Sequence, residues 1–188
     1  MPGRTTPRRG CAHVALLRGI NVGGKNKLPM RDLGALFAAA GCDDVQTVIQ
    51  SGNVVFRARP AVARGLPDAV AAAIRDRFGL RVPVVVRTAE ELRRVVRANP
   101  FLAAGADPAT LHVAFLRELP SATRVALLDP GRSPPDEFEV RGGDVYLRLP
   151  NGAARTRLTN AWFDSALATT ATVRNWRTVL RLDELAGG

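Results

Sequence analysis

The hexapeptide HVALLR at residues 13–18 returns as HVAFLR at 112–117, five positions of six identical. Short strands resemble one another easily, so the echo matters because the same order of elements trails each copy. After the first come a turn-rich loop and an apolar row, Met30, Leu33, Leu36, Phe37 and Ala40, at helical spacing. Pro29 suits the helix start and Gly41 its stop. Two β-branched runs, DVQTVIQ and NVVFRA, then meet around Ser51-Gly52 as a hairpin. Pro60 to Gly65 reads as loop, and Leu66, Val70, Ile74 and Phe78 recur every fourth residue as a helix ended by Gly79. RVPVVVR (81–87) reads as a strand, placed at a sheet edge because Pro83 has no N–H to donate.

The second copy repeats this order. A helix is expected near Ser121–Leu128, and DEFEVR and DVYLRL pair across Gly142-Gly143. The latter alternates Val145, Leu147 and Leu149 with Tyr146 and Arg148, which predicts one wet face. A helix near Thr159–Ala168, the strand ATVR (171–174) and a terminal helix with Trp176, Val179 and Leu180 inward complete it. Each half reads βαββαβ, and right-handed crossovers leave few ways to fold that order into one sheet. The expected fold class is therefore α+β: two tandem ferredoxin-like (βαββαβ) subdomains, an internal duplication, with a C-terminal helix. A capping box at Thr88 and Glu91 opens a connecting helix. The boundaries fall at a basic tail (1–11) that reads as disordered, a first subdomain with the connecting helix (12–98) and a second subdomain (99–188).

Several function classes fall away. No apolar run approaches the roughly 18 residues of a membrane span, and Val14–Leu17 is too short for a signal core. Cys11 and Cys42 make no disulfide framework, which suits a reduced cytoplasm. No motif of metal or nucleophile chemistry appears, so neither a metal nor another cofactor is expected and no catalytic residue is assigned. His13 and His112 occupy matching strand positions and read as structural. The net charge of +10 falls to about +7 without Arg4, Arg8 and Arg9. It favours a phosphate-bearing small molecule or nucleic acid as partner, although scattered arginines on ordinary solvated positions would give the same total.

Charge has one informative concentration. The chain's only two lysines, Lys25 and Lys27, lie in Gly19–Lys27, a glycine-rich loop between a strand and a helix. G-x-x-x-x-G-K-N departs from a phosphate-binding P-loop at one position, where Asn26 replaces the hydroxyl that would bind magnesium. The reading that survives is an anion site built from backbone N–H groups, a following helix N-terminus and two ammonium groups. In the expected sheet the end of the first strand and the second-to-third hairpin share an edge. That brings Arg18, Asn21, Gly23, Gly24, Lys25, Asn26 and Lys27 toward Gln50, Ser51, Gly52 and Asn53. The alternative for these residues is ordinary turn chemistry.

ALLRGINVGGKNKLPM, IQSGNVVF, VPVVVRT, ANPF, LHVAFL and ATVRNWRTV together resemble the bacterial family catalogued as domain of unknown function 1697, over about residues 12–185. The resemblance implies an α+β fold of two related subdomains and no established activity. One departure is Thr156-Arg157-Leu158-Thr159, where the family usually carries a Ser-Lys-Leu-Thr-like segment. Arg155, Arg157 and Thr159 form a second anion candidate at a helix start, with helix capping as the simpler reading. Arg174, beside Trp176, offers a basic–aromatic pair, with Trp176 read first as core. An enzyme acting on a phosphorylated small molecule and an interaction module without catalysis stand as alternatives to a binding protein.

Overall fold

The computed structural model describes residues 10–50 and 52–187. Of the basic tail (1–11) read as disordered, residues 1–9 lie outside the described residues, as does Ser51, expected to meet a ligand; Cys11, placed in that tail, instead opens the first strand, where it pairs with Ala58.

The chain is α+β and carries two four-stranded antiparallel sheets. In the first, β1 (Cys11–Leu17), β2 (Asp43–Val48), β3 (Asn53–Ala58) and β4 (Val84–Thr88) stand in the order β2-β3-β1-β4. In the second, β5 (Leu111–Leu116), β6 (Glu137–Arg141), β7 (Asp144–Arg148) and β8 (Ala171–Asn175) stand in the order β6-β7-β5-β8. Helices α1 (Met30–Ala39) and α2 (Pro60–Phe78) pack with the first sheet, and α5 (Ala122–Ala126) and α6 (Asn160–Leu167) belong to the second. Between them lie α3 (Ala89–Arg97), the short α4 (Pro100–Ala103) and the terminal α7 (Trp176–Leu185). The Thr88–Glu91 capping box forms reciprocally, at 3.1 and 2.8 Å.

Alternation along β1 explains how two sheets share a core. Ala15 and Leu17 face the layer of α1 and α2 with Leu33, Phe37, Leu66 and Ile74. Val14 and Leu16 face the other way, into a cluster that contains Leu92 and Val95 of α3, Trp176, Val179 and Leu182 of α7, and Val113 and Phe115 of β5. Burial of each large apolar side chain contributes roughly 1.5–3 kcal/mol, so this middle layer binds one sheet to the other.

Three expectations need correction. Residues 60–65 are helix rather than loop. Pro60 takes the first helical position, where its missing N–H costs nothing, and Val62 begins the apolar row one turn before Leu66. The wet face expected for β7 is covered: Tyr146 is 2% exposed and its hydroxyl donates to Val95 O of α3 at 3.2 Å. Burial pushes that phenol's pKa up to about 12. In α7, Leu180 is 42% exposed and Leu182 takes the inward position, while Trp176 is core. β4, led in by Pro83, is an edge strand as expected. Among the described residues no helix is long and apolar enough to cross a membrane, and no group of three or more His, Cys, Asp or Glu side chains could hold a metal.

Candidate functional site

Between Leu17 and α1 the chain builds a miniature hairpin. Lys25 N–H donates to Val22 O at 3.0 Å, and Asn21 N–H donates to Asn26 O at 3.1 Å. Gly23 and Gly24 hold φ of +56° and +75° at its turn, the two positive values that a tight hairpin turn of this hand needs. Asn21 then fastens the hairpin to its surroundings. Its Oδ1 accepts from Leu28 N–H at 2.9 Å, and its Nδ2 donates to Leu28 O at 2.9 Å and to Gln50 O at 3.0 Å. Asn26 Nδ2 closes the base on Gly19 O at 2.8 Å.

The β2–β3 turn meets this loop from the side. Leu17 N–H donates to Gly52 O at 2.7 Å. Gly52 has φ +80°, and a Cβ there would stand 2.9 Å from Leu17 O, so the approach needs glycine. Ile49 holds φ +58° while 56% exposed. A β-branched residue in that region is a strained outlier.

Beneath the turn runs Arg174 of β8. Its Nε donates to Asn53 Oδ1 at 2.6 Å, and its Nη2 donates to Leu17 O at 2.7 Å and Gly52 O at 3.3 Å. Burial lowers its pKa to about 10, which still leaves it charged at neutral pH. Arg87 of β4 does the same to the other sheet. Its Nη2 donates to Leu116 O at 2.7 Å, Gly143 O at 2.9 Å and Asp144 Oδ1 at 3.0 Å. A second pair of bonds also runs both ways: Arg18 to Asp164 of α6 at 2.8 Å, and Arg117 to Asp68 of α2 at 2.7 Å.

The sequence candidates thus divide into builders and free groups. Arg18, Asn21, Asn26, Gly52 and Asn53 are engaged in holding the fold, Asn53 being fully buried with Nδ2 on Val48 O. Lys25, Lys27 and the Gln50 side chain are exposed and make no hydrogen bond or ion pair among the described residues. The N–H groups of Gly23 and Gly24 are likewise uncommitted. Lys27, Gly24, Gln50 and Asn21 open onto a hollow of about 490 Å³, closed on the far side by Pro29 and Met30 at the start of α1. Arg155, Arg157 and Thr159 do not join the rim. The two arginines are exposed, and Thr159 caps α6, its Oγ1 accepting from Trp162 N–H at 3.2 Å. Sequence reading missed the role of Arg87 and the bonds of Arg174. The available signal was the shared V-R-[TN] at a strand end before a helix, in VRTAEEL and VRNWRTV.

The family model described as protein of unknown function (DUF1697) matches residues 11–146. The chain belongs to that family. The DUF1697 chain is also similar in fold to a solved structure of the conserved bacterial protein SP0830 from Streptococcus pneumoniae. The two share 20% identity and a TM-score of 0.71, over 94% of this chain and 98% of that one. No curated protein matches.

Proposed function

We propose that this DUF1697 protein binds a phosphate-bearing small molecule in the hollow between the lysine hairpin and the β2–β3 turn. The observation that carries the reading is the division of labour at the rim. Asparagines hold the two turns together, and the chain's only lysines are left over, exposed beside uncommitted N–H groups. A charged donor needs little reorganisation to meet an anion when its loop is already fastened. The start of α1 adds partial positive charge on the same side.

Titration calorimetry with pyrophosphate and with mononucleotides tests this. Binding should weaken with salt, and Lys25→Ala with Lys27→Ala should reduce affinity about tenfold, equivalent to about 1.4 kcal/mol. Identical affinity in the double variant, or no heat with any phosphate compound, defeats the reading.

We propose also that residues 12–98 and 99–188 are two copies of one ferredoxin-like βαββαβ unit. The reciprocal bonds support it. Leu17, Gly52, Asn53 and Arg87 in one unit have the roles of Leu116, Gly143, Asp144 and Arg174 in the other. The exposed thiol of Cys11 and the buried thiol of Cys42, neither in a disulfide, suit a reducing cytoplasm.

A further inference from the structure

Along the seam between the two sheets runs a longer surface than the lysine rim. Three open hollows of about 400, 470 and 500 Å³ succeed one another there. The first and second share Glu91 and Arg117, and the second and third share Asp68 and Arg117. They form one groove, with the loop after β5 at its hub. Its walls come from α3 and the β6–β7 turn at one end, and from α2 and the start of β4 at the other.

The groove's chemistry is lopsided. Arg87, Arg94 and Arg141 line the first hollow, Arg64 the second, Arg75 and Arg81 the third, and Arg117 all of them. Four carboxylates stand against these seven, and each is engaged. Glu91 accepts from Thr88 N–H at 2.8 Å, Asp144 from Arg87 at 3.0 Å and Asp68 from Arg117 at 2.7 Å. Glu118 accepts from Thr169 Oγ1 at 2.6 Å and pairs with Arg117 at 3.1 Å. Arg94, Arg64 and Arg81 are exposed and make no hydrogen bond or ion pair among the described residues. Each hollow therefore contributes one free guanidinium fork, the group best shaped for a phosphate.

We propose that this groove binds single-stranded nucleic acid, with successive phosphates meeting Arg94, Arg64 and Arg81. An open channel of three successive hollows with charged forks at intervals matches a flexible strand with one phosphate per nucleotide. Leu119, 75% exposed at one end, gives a base an apolar surface. The lining contains no Asn or Gln to read a base edge, so recognition follows the backbone rather than the sequence. The groove shares no lining residue with the hollow beside Lys27, and the two sites stand or fall separately.

The test is fluorescence anisotropy of labelled single-stranded RNA and DNA of about 12 nucleotides with the full chain, over a range of salt. Arg64→Ala, Arg81→Ala and Arg94→Ala together should weaken binding at least about tenfold and lower the log–log salt slope by about 2, near 0.7 per lost phosphate contact. Arg97→Ala, Arg177→Ala and Arg181→Ala remove the same charge elsewhere, and this set should cost less than about threefold. Lys25→Ala with Lys27→Ala should leave nucleic-acid binding unchanged. The three groove arginines are exposed, and unchanged melting confirms that the variant folds; the single substitutions give the same ranking. Equal losses in the groove and control sets, or no binding by the wild type at about 50 mM salt, overturn the proposal. Loss in the lysine variant alone also overturns it, while leaving the lysine rim as the phosphate site.

Discussion

Replacing Arg174 by methionine isolates the bonds that hold the β2–β3 turn. Methionine keeps most of the stem volume and removes the guanidinium. Among the described residues, the shortest bonds lost across the seam are those to Asn53 Oδ1 at 2.6 Å and Leu17 O at 2.7 Å. Hydrogen bonds to charged groups contribute about 1.5–3 kcal/mol each, so the gross loss is about 3–6 kcal/mol. Relief of the guanidinium's own burial, visible in a pKa lowered to about 10, offsets part of it. A net loss of about 2–3 kcal/mol should lower the melting midpoint by roughly 4–12 °C in a chain of this length. Gly52 O keeps its bond from Leu17 N–H, so the strand pairing should survive while Gly52 and Asn53 exchange amide hydrogens faster.

Arg87→Met is the comparison that gives the number meaning. Its removal leaves the carboxylate of Asp144, 17% exposed, without its guanidinium, where Arg174→Met removes a guanidinium from an amide and carbonyls. Stranding a buried charge costs about 3–5 kcal/mol, so Arg87→Met should be the more damaging of the two by calorimetry and urea melts. A neutral Arg174→Met, or the reverse order, would refute the reasoning that these arginines clamp one sheet to the other's turn.

Four further outcomes are expected. Asn21→Ala removes three bonds and places alanine at a φ of +54°, so amide exchange at 19–28 should quicken and stability should fall by about 2–3 kcal/mol. Ile49→Gly relieves left-handed strain and should raise stability by about 1 kcal/mol in a urea melt. Burial, aided by Asp43, pushes the Cys42 thiol's pKa up to about 11, so maleimide near neutral pH should label the exposed Cys11 and leave Cys42 unlabelled by mass spectrometry. Burial raises the pKa of Asp144 despite the pull of Arg87, so the folded state holds that proton more tightly than the unfolded state. The associated stability is present below the ordinary carboxylate pKa and lost as pH rises through the raised one; Asp144→Asn should flatten that part of the acid stability curve.

The succession of strands and helices along the chain was readable because alternation and turn residues are local signals. Gly142-Gly143 and the Thr88–Glu91 box declare themselves within four residues. The features that escaped were set by distant chain. Tyr146 sits in an alternating strand that looks half-wet, and only the covering helix α3, about fifty positions earlier, dries it. The first turn of α2 was hidden by Pro60 and Gly65, which speak for loop until Val62 is seen to pack on the first core. At the rim, topology was enough to bring the Lys25 loop to the Gly52 turn. Composition could not tell that Asn21, Asn26 and Asn53 hydrogen-bond to backbone carbonyls of the rim. That depends on which asparagines hold positive φ and which face a carbonyl, facts that no pattern of residue types encodes.

The two proposed copies differ in the link that follows their first strand. Where equivalent positions carry the same architecture, the second unit passes from β5 to α5 through residues 117–121, while the first passes from β1 to α1 through residues 18–29. The extra length is the lysine hairpin together with the segment that Asn21 ties down. Connecting a strand to a helix in this fold does not require it, since the shorter link completes the same sheet order. Nor does the longer link add to the core beyond Ile20 and Leu28, the only residues of 18–29 among its buried hydrophobics. Apart from Arg18, which bonds Asp164 of α6, its remaining side chains either fasten the loop or stand in solvent. The proposed phosphate site would account for a segment that is ordered by its own asparagines and holds every lysine in the chain. If the hairpin were only a connection, shortening 18–29 to the length of 117–121 would leave phosphate affinity where it was; the expected result is a folded protein that has lost it.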